Sequence, residues 1–240
     1  MPASPVPEMN ELPRQLPLAL GFSERFGRED FLSGPSNAAA LALIERWPDW
    51  PARTVALVGP EGAGKSHLAA IWAKTAGARL IASHAIAPAT VPTALATGAL
   101  VIEDLREGAC EDAALFHLLN LAREQGDYVL ITARTPPTSW TIRLRDLASR
   151  LRAVPTVTLE APDDALLRAI MVKLFADRQL AVDEGLIGYL ATRIERSCAA
   201  ARAIVAELDR EALRQKREVN RALAAELLRA DERRADQPKA

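Results

Sequence analysis

The sequence predicts an α/β fold in which a five-stranded parallel sheet is flanked by helices and followed by a small helical lid. Short apolar runs alternate with helical stretches up to about residue 160, which is typical of parallel sheets. After Pro162 the apolar residues recur only with helical spacing. A glycine-rich loop lies between the first apolar run and a helical stretch, as in P-loop folds.

Five apolar runs are predicted to be the strands of this sheet. The first, 54–58, ends at a glycine and a proline and indicates a buried parallel strand. The other four runs are 80–81, 100–102, 129–132 and 157–159. Helices are predicted in the core at 36–46, 65–74 and 111–125, and beyond it at about 163–177, 183–193 and 201–212. Polar residues that favour helix N-caps lie at the start of two of them, namely Ser36 or Asn37 in the first, and Asp163 with Asp164 in 163–177.

These changes in pattern divide the chain into three parts. Residues 1–22 contain a proline-rich stretch and are expected to form a flexible N-terminal arm. Residues 23–160 form the predicted nucleotide-binding core. Residues 161–240 form the helical lid, whose charged end, 229–240, is expected to be frayed.

Composition limits the classes of function. The chain of 240 residues has 30 basic and 31 acidic side chains, so its formal net charge of -1 gives no general attraction to DNA. Its two cysteines, Cys110 and Cys198, lack a metal-ligand spacing and are expected to be reduced thiols. Since neither a signal peptide nor an apolar run of membrane-spanning length is present, we expect a cytoplasmic protein without membrane contact.

The segment 59–66 satisfies the P-loop pattern G-x-x-x-x-G-K-[ST] between a predicted strand and a predicted helix. Such a loop turns its backbone N–H groups toward a phosphate at a helix N-terminus. Lys65 would neutralise the phosphate oxygens, and Ser66 would hold Mg²⁺. The predicted loop residues that contact ADP or ATP are Gly59, Gly62, Ala63, Gly64, Lys65 and Ser66.

Two carboxylates, Glu103 and Asp104, follow the third predicted strand. The carboxyl end of a parallel strand is where a metal-bridged triphosphate would lie. One acid would enter the magnesium shell, and we assign Glu103 to it together with Ser66. Asp104 would then orient water.

Six segments in order and spacing resemble the AAA+ ATPase family of the replication initiator DnaA, from Gln15 to about residue 230. They are QLPLAL at 15–20, DFLSGPSN at 30–37, GPEGAGKSH at 59–67, LVIEDL at 100–105, LITARTPP at 130–137 and DLASRL at 146–151. The initiator continues into a helix-turn-helix DNA-binding domain, which is missing after the helical lid here. The chain therefore looks like a short regulatory homologue of the initiator.

The resemblance implies roles for further residues. Phe31 and Asn37 look like the adenine-side element, and His67 follows the loop among the nucleotide-binding residues. For histidines without a metal-ligand pattern, a structural role is the default. Arg150 matches the family's arginine finger, a guanidinium offered to the nucleotide of a neighbouring subunit. From the residues alone, a solvated arginine is the more ordinary reading.

The segment QLPLAL resembles the family's clamp-binding peptide. Its implied contacts with the DNA polymerase III β sliding clamp are Gln15, Leu16, Leu18 and Leu20. An extended peptide with a glutamine amide and spaced leucines can dock into an apolar pocket. The protein would then associate with DNA only indirectly, through the clamp, in the bacterial nucleoid.

Three positions depart from the family pattern. Glu103 stands where the initiator has aspartate, Arg134 stands at the sensor 1 aspartate, and Ala199 stands at the sensor 2 arginine. Arg196 and Arg202 each lie three residues from Ala199, about one helical turn away, and Arg202 is our choice as the nucleotide contact. These departures imply weak or no intrinsic ATPase activity, although binding of ATP or ADP is expected to persist.

The resemblance therefore implies a negative regulator of replication initiation that stimulates hydrolysis of DnaA-bound ATP. Two alternatives stay open: a self-contained ATPase of the helicase-loader type, and a clamp adaptor that does not hydrolyse ATP. Homo-oligomers are also compatible with the sequence.

Overall fold

A computed structural model of the protein describes residues 26–235. The predicted clamp-binding residues Gln15, Leu16, Leu18 and Leu20 lie outside the described residues. No helix within 26–235 is long and apolar enough to cross a membrane.

The sheet has five parallel strands. They are β1 (Thr54–Val58), β2 (Arg79–Ala82), β3 (Ala99–Leu105), β4 (Tyr128–Ala133) and β5 (Thr156–Thr158). Their order across the sheet is β2-β3-β4-β1-β5, and every neighbouring pair is parallel. The predicted α/β architecture is confirmed. Because β1 lies inside the sheet, between β4 and β5, its loop leaves the sheet between two neighbouring strands, where ligands of open parallel sheets bind.

Helices cover both faces of the sheet. They are α1 (Ala38–Glu45), α2 (Lys65–Ala76), α3 (Val91–Ala94), α4 (Asp112–Gln125) and α5 (Arg145–Arg152). Successive residues of β1 point to opposite faces, so Val55 and Leu57 pack with α1 and α2, and Ala56 and Val58 with α3 to α5. Two apolar layers therefore sandwich the sheet, which explains why its strands are apolar on both faces.

The lid consists of four helices with an apolar core of their own. They are α6 (Asp164–Asp177), α7 (Glu184–Ala191), α8 (Cys198–Gln215) and α9 (Arg221–Ala235). The side chains of Asp163, Asp183 and Ser197 cap α6, α7 and α8 by accepting backbone N–H bonds at 2.8, 2.6 and 3.0 Å.

The structure differs from the sequence-based elements at several points. The short helix α3 and the helical form of α5 were not predicted, and β3 continues to Leu105. The segment expected to be frayed is helical as far as Ala235, because α9 buries Leu223 and Ala224 against the lid core.

Candidate nucleotide-binding site

The glycine-rich loop 59–66 joins the end of β1 to the start of α2. Gly62 and Gly64 have positive φ values of 74° and 102°, which side chains disfavour. A Cβ atom at Gly59 would overlap the carbonyl oxygen of Leu159. Glycine is therefore required at these three positions. The loop leads into the first turn of a 12-residue helix, whose N–H groups have no partner within the helix.

Lys65 is held inside this loop. Its side chain is buried, and its Nζ donates to the carbonyl oxygens of Gly59 at 2.8 Å and Pro60 at 2.7 Å. Burial lowers the pKa of Lys65, and the nearby charge of Arg134 lowers it further. An ammonium group in this position can exchange the two carbonyl groups for the oxygens of a bound phosphate.

Asp104 ends the regular part of β3 in a constrained conformation. Its φ is 49°, and the register between β3 and β4 shifts between Ile102 and Leu105. Its backbone N–H donates to the hydroxyl of buried Thr132 at 2.9 Å, and its carbonyl accepts from the Ser83 hydroxyl at 2.9 Å. These bonds fix the backbone from which the Asp104 carboxylate projects.

Glu103 and Asp104 are placed differently with respect to Lys65. The charge of Asp104 raises the pKa of Lys65, so the two groups share one electrostatic environment. Glu103 is half-buried and forms none of the ion pairs found within residues 26–235. Asp104 is thus the acid that lies on the lysine side of the site.

The predicted magnesium ligands do not form a site by themselves. Within residues 26–235 no three His, Cys, Asp or Glu side chains cluster to hold a metal ion. Ser66 is exposed and Glu103 is half-buried. A hydroxyl and a carboxylate are compatible with Mg²⁺ when phosphate oxygens and water complete its shell. The residues therefore fit an ion that arrives with a triphosphate, not a resident one.

Arg134 connects the loop to the acidic end of β3. Its Nη1 lies 2.7 Å from Oε2 of Glu61, and its Nε donates to Oδ1 of Asp104 at 3.2 Å. Glu61 occupies a variable position of the loop motif, so no sequence pattern pointed to it. The two carboxylates and Arg134, with Lys65, form a cluster of four charges whose sum is zero.

A cavity of about 180 Å³ lies between the core and the lid, next to the loop. The structure brings together five of the predicted nucleotide-binding residues around it: Phe31, Asn37, Gly64, His67 and Arg202. Further lining residues that the sequence did not indicate are Asp30, Lys173 and Cys198. The position and mixed lining of this cavity suit an aromatic base bound beside the phosphate loop.

His67 organises one wall of the cavity. It is buried, and its Nε2–H donates to the carbonyl oxygen of Gly27 at 3.0 Å. Its ring packs edge-on against Phe26 and Phe31, with 5.2 Å between centroids in both pairs. Arg202 lies 3.4 Å from Nδ1. These contacts support a role in shaping the wall.

Asn37 also acts on its own loop. Its side-chain oxygen accepts from the Gly34 N–H at 2.9 Å, and its amide nitrogen donates to the Leu32 carbonyl at 3.0 Å. Both ends of the amide are thereby used to hold the segment that carries Phe31 into the cavity.

The lid contacts the phosphate loop directly. The backbone N–H of Cys198, at the start of α8, donates to the carbonyl of Gly62 at 2.8 Å. A Cβ atom at Gly62 would lie 3.1 Å from that of Ala199. Of the two arginines near Ala199, Arg196 pairs with Asp164 of the lid at 3.0 Å, whereas Arg202 lines the cavity. Arg202 is therefore the one beside the candidate site.

Arg150 lies near the end of the sheet at which the strands begin. It faces a groove of about 650 Å³ that is also lined by Thr54, the first residue of β1. The loop 59–66 begins at the opposite end of β1, about 16 Å away at ~3.3 Å per residue. The Arg150 guanidinium lies 5.5 Å from the Phe116 ring and its Nη1 lies 3.5 Å from the Leu119 carbonyl. Arg150 is therefore separated from the phosphate loop of its own chain.

Comparison with known proteins defines the class of this domain. No protein-family model matches the chain. In fold, it resembles DnaA domain III of Thermotoga maritima, with a TM-score of 0.70 and 21% identity over 86% of this chain and 96% of that one. The RuvB branch migration motor of Thermotoga maritima gives 0.67 and 15% over 86% and 72%. The described fold is thus that of an AAA+ P-loop domain.

In sequence, the chain is similar to the replication initiator DnaA. The chromosomal replication initiator protein DnaA of Caulobacter vibrioides is 30% identical over 180 residues, which cover 65% of this chain and 37% of the initiator. The chain therefore spans little more than a third of the length of the curated relatives it matches. DnaA from Aquifex aeolicus, solved with bound AMPPCP, has a TM-score of 0.61 and 18% identity over 75% of this chain and 63% of that one.

Proposed function

We propose that this protein binds ATP or ADP with Mg²⁺ at the loop 59–66. The buried Lys65 inside a glycine-dependent loop supports this, as does the cavity next to Gly64. The AMPPCP bound to a DnaA of the same fold is in keeping with an adenine nucleotide. Ser66 and Glu103 would hold the metal ion, which supplies positive charge at the phosphate oxygens.

We further propose that the protein regulates replication initiation, as the short DnaA homologue Hda does, by stimulating hydrolysis of DnaA-bound ATP. The single observation that carries this proposal is the position of Arg150, at the end of β1 opposite to the loop 59–66. A guanidinium there has no access to its own chain's nucleotide. It is suited to stabilise phosphoryl-transfer charge on a neighbouring AAA+ domain.

Tethering to the β sliding clamp completes this proposal. The segment QLPLAL would dock on the clamp through Gln15, Leu16, Leu18 and Leu20. The chain's balanced charge supports an indirect route to DNA, since it gives little affinity for the DNA backbone. The working location would then be the bacterial cytoplasm, at clamps loaded on DNA.

The test is hydrolysis of radiolabelled ATP bound to purified DnaA, with DNA-loaded clamp and with this protein supplied with ADP. We expect the wild type to stimulate hydrolysis and Arg150→Ala to lose at least about 100-fold of that stimulation, as arginine fingers contribute this much or more. Arg152→Ala is the matched control, because Arg152 is exposed on the same helix. Gln15→Ala should also lose stimulation in this assay, in which hydrolysis depends on the DNA-loaded clamp.

Full stimulation by Arg150→Ala would refute the trans-acting role. Turnover of ATP by the purified protein alone, abolished in Lys65→Ala, would instead favour a self-contained ATPase. Normal stimulation by Lys65→Ala without bound nucleotide would favour a clamp adaptor.

A further inference from the structure

Arg134 forms ion pairs with two carboxylates from different parts of the site. Glu61 belongs to the phosphate loop and lies 2.7 Å from the guanidinium, and Asp104 follows β3 and lies 3.2 Å from it. All three side chains are at least half-exposed, so each pair alone contributes little to stability. Their importance is positional, because the charges of all three side chains act on Lys65, the residue that would meet the phosphate oxygens of a bound nucleotide.

The geometry around Asp104 favours this pairing. Its backbone is held at a φ of 49° by bonds to Thr132 and Ser83, and these bonds limit where the carboxylate can project. The hydrogen bond that Arg134 donates to Asp104, together with the charge of that carboxylate, raises the pKa of the Arg134 guanidinium.

We propose that Arg134 is a positioning residue that keeps Asp104 from activating water, so that ATP bound at this loop is retained without hydrolysis. This inference rests on the proposed nucleotide binding, and it explains how the site could bind a triphosphate and leave it intact. The lack of hydrolysis would then result from the ion pair of Arg134 with Asp104, and not from the absence of a sensor residue.

The blocked step can be written in full. In hydrolysis, the water oxygen bonds to the γ-phosphorus while the bond from that phosphorus to the bridging oxygen breaks, and ADP leaves with the bonding electrons. A carboxylate assists by orienting the water and accepting its proton. In this structure, Oδ1 of Asp104 accepts a hydrogen bond from Nε of Arg134 instead. A water molecule competes with a fixed cation for the same acceptor.

Glu61 helps to hold the Arg134 guanidinium in its contact with Asp104. It holds the far end of the guanidinium through Nη1, so that Arg134 is attached to the loop on one side and to Asp104 on the other. A planar guanidinium can make both contacts at once, whereas a lysine ammonium has a shorter reach between two partners. Arg134→Lys should therefore suppress hydrolysis only in part.

The experiment measures ATP turnover and nucleotide affinity in the full chain. We expect Arg134→Asn to raise the turnover rate at least about tenfold, since a positioned carboxylate commonly contributes more than that. The double variant Arg134→Asn with Asp104→Asn should return to the wild-type rate, because the gain acts through Asp104. Arg106→Asn, an exposed arginine just after β3, is the matched control and should leave the rate unchanged.

Affinities for fluorescent ATP and ADP analogues give a second measure that does not depend on turnover. If Arg134 acts on Asp104, the ratio of the two affinities should change by less than about threefold in Arg134→Asn. A selective loss of ATP affinity would show that Arg134 contacts the γ-phosphate and would overturn the inference. Unchanged turnover in a variant that still binds ATP would overturn it as well. If the wild type binds neither nucleotide, the proposed function itself fails.

Discussion

His67 shapes the cavity through its contacts with other residues of the protein. Nε2–H donates to Gly27, and the unprotonated Nδ1 faces the Arg202 guanidinium, so the ring must be neutral. Burial lowers the pKa of His67, and the charge of Arg202 lowers it further. Asp30 and Lys173 also act on the ring, in opposite directions. A proton on Nδ1 would break the arrangement that holds Phe26 and Phe31.

This arrangement predicts a pH dependence of stability. The pKa of His67 in the folded protein lies below its ordinary value of 6.5, so the unfolded chain binds the proton more strongly. The stability contributed by neutral His67 is therefore complete above that value and is lost as the pH falls below it. His67→Gln keeps a donor for Gly27 but cannot titrate. Between about pH 7.5 and 5.5 the wild type should lose more free energy of unfolding than this variant, by urea denaturation.

Equal losses in the two proteins would contradict this account. The hydrogen bond from Lys173 lowers the pKa of Asp30. Protonation of Asp30 therefore also lowers the free energy of unfolding, but at a lower pH than protonation of His67. Since both proteins contain Asp30 and its ion pair with Lys173, the largest part of its contribution cancels in the comparison.

Individual residues of the site differ in how far their roles follow from sequence. The spacing of the P-loop motif was sufficient for Lys65 and the glycines, because backbone geometry dictates them. The pairing of Arg134 with Glu61 was not foreseeable, since it joins a variable loop position to a strand end distant in sequence. The same holds for Asp30 and Lys173, which meet at 2.7 Å across the core and the lid.

At the scale of elements, the bounds predicted from the sequence match those of the structure for some segments and differ for others. The strand β1 matches its predicted bounds, because glycine and proline end a wholly apolar run. The strand β3 was predicted over 100–102, with Glu103 and Asp104 at its carboxyl end, whereas in the structure it runs to Leu105 and the Asp104 N–H is bonded to Thr132. The helix α3 has only four residues, too few to show a period.

The helix α8 has a particular place among the lid helices, because its first turn meets the phosphate loop. Ser197 caps α8 and is buried, whereas Asp183 caps α7 away from the loop. Either Ser197→Ala or Asp183→Ala should lower the free energy of unfolding by about 1 kcal/mol. Only Ser197→Ala should also weaken the binding of a fluorescent ADP analogue, by about threefold or more, because it loosens the turn bonded to Gly62.

Denaturation and fluorescence titration of the same two preparations separate these effects. If both variants bound the nucleotide as tightly as the wild type, the contact between α8 and the loop would have no part in binding.

At the scale of the whole molecule, the lid and the core are joined around the cavity through few contacts. The backbone bond from Cys198 to Gly62 and the ion pair of Lys173 with Asp30 lie on two sides of it. The close approach at Gly62 leaves no space for a side chain, since a Cβ there would lie 2.7 Å from that of Ser197.

Gly62→Ala should therefore disturb the contact between the phosphate loop and the first turn of α8. We expect it to lower the free energy of unfolding by about 3 kcal/mol, of which ~1 kcal/mol is backbone strain and the rest steric overlap. Gly77→Ala is the control, because Gly77 also has a positive φ, of 64°, but nothing lies within 4 Å of its added Cβ. It should cost about 1 kcal/mol. Hydrogen exchange should accelerate in α8 for Gly62→Ala alone, and similar exchange in both variants would refute the steric explanation.

The separation of Arg150 from the loop along β1 also gives the molecule a direction. One end of the sheet would donate a guanidinium and the other would receive one, so any association through Arg150 would join unlike surfaces. Such a head-to-tail contact leaves one donor and one acceptor unused at its ends, and therefore does not stop at a two-fold symmetrical pair. Copies that join in this way would either close into a ring or continue as a filament.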